Sequence, residues 1–177
     1  MKNALPLALS LVLLATACGT TPGTGTRLQV VSADPATREA LFAPLCALEG
    51  RWESEEAEEE PMTIEFHVSS GGSALREIMF PGSEHEMTNM YTLDGDSVLM
   101  THYCAGGNQP HMRASALEGN RLAFRSEGVS DLKAPDEAYM GEMTLVFVDD
   151  DRIEQHWSAL RGEAVDHSTV FRFRRMR

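Results

Sequence analysis

Positive charge is scarce in this 177-residue chain: 15 Lys and Arg stand against 27 Asp and Glu, for a net charge of -12. A grip on phosphate depends on clusters of Lys and Arg, so the balance excludes nucleic-acid binding. It equally excludes a polybasic hold on anionic lipid headgroups. The acid-rich run Glu53 to Glu60 reads as a solvated edge and turn. Cysteine is scarce too, with three in all and no CxxC or HxxxH pairing, which removes the usual zinc and redox spacings. There is no nucleophile elbow, phosphate loop or dinucleotide fingerprint. Enzyme is therefore the minority reading, with no catalytic residue assigned. Long apolar runs are missing as well: Ala4 to Leu14 falls short of the roughly 20 residues that span a membrane.

That short run follows a basic start, Met1-Lys2-Asn3, and suits a secretory signal. Ala15-Thr16-Ala17-Cys18 behind it resembles a bacterial lipobox, with Ala15 where Leu is usual. The reading is a signal peptide over 1–17, acylation at Cys18, and a Thr/Gly/Pro-rich tether over 18–33. Acylation anchors a protein to a membrane without spanning it. Gly19 in place of Asp points to the outer membrane of a bacterial envelope, facing the periplasm. Residues 34–177 then form one domain. Cys46 and Cys104 remain, open to either a disulfide or two free thiols.

Asp34 and Pro35 mark a helix start, with Leu41, Phe42 and Leu45 at helical spacing and Pro44 as the expected stop. From Gly50 the period changes to two. Met62, Ile64, Phe66 and Val68 alternate with polar residues, and Asp94-Gly95 between two such runs signals a hairpin. The last strand alternates Thr169, Phe171 and Phe173 against Val170, Arg172 and Arg174. Nine to ten short strands without a long helical period make an all-β fold. An antiparallel up-and-down β-barrel with a short N-terminal helix is favoured over a β-sandwich.

Leu48-Glu49-Gly50-Arg51-Trp52, a Gly-x-Trp opening the first strand behind a short helix, resembles the lipocalin and calycin signature. The resemblance implies that Trp52 plugs one end of the barrel beneath an Arg of the last strand, for which Arg172 and Arg174 are the candidates. The block from Pro81 through Asp94-Gly95 to Thr101-His102-Tyr103-Cys104-Ala105-Gly106-Gly107-Asn108-Gln109-Pro110 is similar to a family of uncharacterised bacterial secreted proteins with lipocalin-like barrels. The likeness extends through Leu145 to Trp157. It departs at Tyr139-Met140-Gly141, where such relatives are expected to carry His-Met-His. The resemblance implies a fold and no activity.

A two-residue loop at Asp94-Gly95 would set Leu93 against Asp96, Met87 against His102 and His85 against Cys104. Alternation then turns His85, Met87, Asn89, Tyr91, Val98, Met100, His102 and Cys104 inward. One reading is structural, with His102 and Cys104 as satisfied core residues of a filled barrel in an envelope lipoprotein. Another is a pocket for a small, mostly apolar ligand, formed by Met87, Tyr91, Met100, His102 and Cys104 with Asn108 and Gln109 at the mouth. Methionine suits such a pocket because it adapts to irregular guests. A third is a transition-metal or haem site from His85, His102 and Cys104, with His102 as the axial candidate. His102 lies two residues from Cys104, about 7 Å along a strand, so His85 is the better base for a Cys-centred reaction. The pocket is the preferred reading, with no cofactor assigned.

Overall fold

Asp34 opens the domain as a helix cap. Its carboxylate accepts hydrogen bonds from the Thr37 amide at 2.9 Å and the Thr37 hydroxyl at 2.5 Å. These bonds, the hydroxyl's first, hold its carboxyl below the ordinary range. Pro35 supplies the first helical position of α1 (Pro35–Cys46), where a missing amide proton costs nothing. The computed structural model describes residues 33–56 and 61–177; the expected signal segment, Cys18 and the tether up to residue 32 lie outside them. Pro44 does not shorten α1 as expected. It sits inside the final turn, which still closes through the Ala47 amide on the Ala43 carbonyl at 3.0 Å. Leu41, Phe42 and Leu45 form the buried face.

Eleven strands follow among the described residues: β1 (Gly50–Ser54), β2 (Thr63–Ser69), β3 (Ala74–Met79), β4 (Met87–Asp94), β5 (Ser97–Tyr103), β6 (Gln109–Ala114), β7 (Leu117–Glu118), β8 (Arg121–Ser130), β9 (Ala138–Asp149), β10 (Arg152–Arg161) and β11 (Ala164–Arg175). Each pairs antiparallel with its neighbour in sequence, except that β6 skips the short β7, which pairs with β8 alone. β11 returns to β1, and β6 pairs with β8, which closes a ring of ten strands with β7 outside it. Closure leaves no sheet edge of the sandwich kind. The fold is a closed antiparallel barrel with one short helix, compatible with a lipocalin-like barrel. No helix among the described residues is long and apolar enough to cross a membrane.

Period-two alternation dictates the interior. Phe66, Phe124, Phe173, Tyr91, Trp52 and Trp157 are among the fully buried side chains, and burying one side chain of the Phe class contributes about 1.5–3 kcal/mol. α1 covers the end where β1 begins, and its Arg38 guanidinium donates to the Gly95 carbonyl at 3.0 Å. Beneath it Trp52 donates its indole N–H to the Leu48 carbonyl at 2.9 Å. Phe66 meets Trp52 edge-on, with centroids 6.3 Å apart.

The arginine over Trp52 is Arg175, at 4.3 Å from the ring centroid, and not Arg172 or Arg174. In the β1–β11 ladder Trp52 pairs with Arg175, two residues beyond the inward Phe173. Arg172 and Arg174 have the opposite parity and pair outside the barrel with Glu56, Glu154 and Glu53. Arg175 also donates to the carbonyls of Ala47 at 2.8 Å and Glu49 at 2.9 Å. A cation is favourable there, at the negative end of a helix. Gly50 is required beside it: its φ of +127° lies where L-residues are strained, and a Cβ would stand 3.5 Å from the Arg175 guanidinium.

Candidate functional site

The β4–β5 hairpin positions the site, and its register differs from the expected one. The two-residue turn is Gly95-Asp96, so Asp94 pairs with Ser97, Leu93 with Val98, Tyr91 with Met100 and Asn89 with His102. Gly95 has φ +61°, and glycine in the first central position is the requirement of one of the two tight hairpin turns. The slip from the expected register is two residues, an even number, so the inward face survives. Its cross-strand partners do not. Met87 pairs with Met79 on β3 rather than with His102. His85 lies exposed in the turn before β4, and Cys104 lies just beyond β5.

A polar network crosses the middle of the barrel. Glu77, fully buried on β3, accepts from Asn89 Nδ2 at 2.7 Å, Tyr91 Oη at 2.6 Å and Gln155 Nε2 at 2.6 Å. Gln155 belongs to the opposite wall and accepts in turn from Trp157 Nε1 at 3.0 Å. Asn89 Oδ1 meets His102 Nδ1 at 2.7 Å, and the His102 and Trp157 rings lie 5.0 Å apart. Burial raises the Glu77 carboxyl above its ordinary pKa, and the three donors oppose that rise. Burial also drives the Tyr91 phenol well upward, helped by the Glu77 charge. Asn89 and Gln155 donate to Glu77 through amide N–H groups, while the Tyr91 hydroxyl is able to donate to a carboxylate or accept from a carboxyl.

The same network assigns the His102 tautomer. Asn89 Nδ2 faces Glu77 and, at 3.4 Å, the Met79 sulfur, both acceptors, so its oxygen must face the ring. His102 Nδ1 therefore carries the proton and Nε2 a lone pair. Burial lowers the His102 pKa to about 4, so the ring is neutral at neutral pH. Nε2 is buried with no hydrogen-bond partner. Of the six histidines, His102 alone is buried, at 1% exposure.

Toward the end away from α1, the loop after β5 forms the rim. Gly107 donates to the Cys104 carbonyl at 2.9 Å, and Cys104 to the Asn108 carbonyl at 3.3 Å. Asn108, 2% exposed, reaches across to the start of β9, donating to Glu137 Oε1 at 2.8 Å and the Ala138 carbonyl at 3.3 Å. Both are acceptors, so the Asn108 nitrogen is assigned to them, and its Oδ1 is left buried without a partner. Gln109 donates to the Gly107 carbonyl at 3.0 Å and lies on the outward parity of β6. Cys104 is half-buried, and its sulfur accepts from the Gly106 amide at 3.4 Å.

Tyr91, Met100 and His102 thus share the interior, Met87 is half-buried, and Asn108 reaches the rim. Cys104 and Gln109 belong to the loop and outer parity. His85, His102 and Cys104 do not converge, and among the described residues no group of three His, Cys, Asp or Glu side chains is arranged for a metal ion. Cys46 and Cys104 are free thiols at opposite ends of the barrel. Surface clefts of about 790 and 600 Å³ lie at the helix end, and neither is lined by His102, Asn89 or Glu77. Sequence reasoning missed Glu77, Gln155 and Trp157. The signal was there: Glu77 keeps step with Leu75 and Met79, and Gln155 with Ile153 and Trp157, so each is a polar residue in an apolar phase. No protein-family model matches the chain, and no curated protein sequence matches it.

Proposed function

We propose that this protein is a lipocalin-like binding barrel that takes a small, mostly apolar molecule at the open end of its interior, with His102 as the polar anchor. The observation that carries this is the His102 Nε2 lone pair, buried and unpartnered. Leaving such a group unmet costs about 1–3 kcal/mol, and a filled structural core has no use for it. Met79, Met87 and Met100 near His102 can shift to admit a guest. The barrel, the Gly50-Arg51-Trp52 opening and the Thr101 to Pro110 block together support kinship with bacterial secreted barrels. The segment 1–18 supports lipid anchoring through Cys18 in the bacterial envelope.

The competing reading is a structural envelope barrel, favoured by the cross-barrel bonds and the packed aromatic interior. A bare imidazole nitrogen also suits a single axial bond to haem iron, but without His85 and Cys104 beside it the His/Cys metal site has lost its geometry. Native mass spectrometry and an absorption spectrum of the purified full chain decide among these. The expected result is a retained organic mass that His102→Leu releases while the chain stays folded. A Soret band or stoichiometric metal would replace this reading with the metal one. No retained mass and no binding by any apolar probe would leave the structural barrel.

A further inference from the structure

The interior of this barrel can accept hydrogen bonds but has almost none left to donate. Asn89 Nδ2, the Tyr91 hydroxyl and one Gln155 N–H are spent on Glu77, Trp157 Nε1 on Gln155, and Asn108 Nδ2 on Glu137 and Ala138. What remains unpartnered is His102 Nε2 and Asn108 Oδ1, both bare acceptors. Thr101 pairs with His111, so His102 faces Pro110, and the buried Asn108 lies two residues before Pro110, just ahead of β6 on the side away from α1. The buried ionisable side chains have the same bias. Glu77 is buried without an ion-pair partner, and no Lys or Arg is among the buried residues described.

Resting on the ligand-binding reading above, we infer that the molecule this barrel accepts carries a protonated amine on an apolar body, with its N–H groups directed at His102 Nε2 and Asn108 Oδ1. A carboxylate or phosphate head would meet lone pairs at both His102 Nε2 and Asn108 Oδ1. A neutral hydroxyl offers one donor where an ammonium offers up to three. The Trp157 ring beside His102 adds a face that attracts a cation, and the methionines around it accommodate an alkyl body.

The test holds the tail constant and changes the head. Octylamine, octanol, octanoate and octyltrimethylammonium are titrated into the full chain at neutral pH below micellar concentrations, read by the fluorescence of its two tryptophans, Trp52 and Trp157. Octylamine should bind about tenfold or more tighter than octanoate and octyltrimethylammonium, a difference that one good charge-assisted hydrogen bond supplies. Octanol should fall between. His102→Leu and Asn108→Ala leave the negative surface intact, and each should shrink the preference severalfold; Asn108→Ala keeps the test alive if His102→Leu does not fold. Octanoate binding as tightly as octylamine overturns the amine inference and leaves the binding reading standing. Equal binding of octyltrimethylammonium overturns it too, because surface charge and not the two acceptors would then be the cause. If none of the four binds, the ligand site itself fails.

Discussion

The two ends of the barrel solve opposite problems. At the helix end the strong donors are met: the Trp52 indole by Leu48, and the Arg175 guanidinium by Ala47 and Glu49. At the end away from α1, His102 Nε2 and Asn108 Oδ1 are buried and unmet. Both ends are made from the same strands, so strand propensity does not explain the contrast. One end is built for closure. The other retains unmet acceptors that cost stability.

Mutation can break this contrast, and the largest effect belongs at the closed end. Trp52→Ala should lower stability by about 3–5 kcal/mol in urea unfolding; a loss below about 1 kcal/mol would mean the helix end is not the keystone. Glu77→Leu, at the join of the two halves, strands three buried donors and should cost about 3 kcal/mol. Unchanged stability would show that the carboxylate is replaceable by packing alone, as some buried charges are.

pH sharpens the end that carries His102. The His102 pKa falls from 6.5 to about 4 on folding, so between those values the unfolded chain binds the proton and the folded one does not. Stability from this group is present above pH 6.5 and is lost as pH falls toward 4, by about 3 kcal/mol at pH 4. The Glu77 shift runs the other way, its share being lost as pH rises through its raised folded value. Comparing wild type with His102→Leu isolates the histidine. Parallel pH curves for the two proteins would contradict a neutral buried His102.

Smaller effects separate the arginines and test the rim. Arg175→Met should cost about 1–2 kcal/mol, whereas Arg172→Met and Arg174→Met, which lose only surface pairs, should each stay within about 0.5 kcal/mol. The reverse order in thermal melts would restore the sequence-based choice of closure residue. Cys104→Ser should change stability by no more than about 0.5 kcal/mol and leave probe binding intact. A loss of binding there would bring the thiol back into the site.

Much of the fold was legible because it rests on local periods. Alternation of apolar residues marked the strands, Asp34 and Pro35 marked the helix start, and the inward set Asn89, Tyr91, Val98, Met100 and His102 was read correctly even though the hairpin register was two residues off. Parity is robust to an even slip, while pairing is not. That is why His102 was placed well and its partner wrongly. Arg175 was missed for a related reason: its parity with Phe171 and Phe173 was readable, but which arginine reaches Trp52 depends on the β1–β11 ladder.

By itself, the sequence determined the strands and the inward face of the β4–β5 hairpin, since both follow from a side-chain period of two and short turns; closure of the sheet it favoured over a sandwich without deciding it. Only the tertiary structure decided what those inward residues do. Glu77 and Gln155 are 78 positions apart, and they meet because closure folds one wall of the barrel against the other. The His102 tautomer depends on which way Asn89 turns, and Asn89 turns toward an acid contributed by a neighbouring strand. Hydrogen bonding acts over about 3 Å, so no pattern along the chain could specify it before the ring closed.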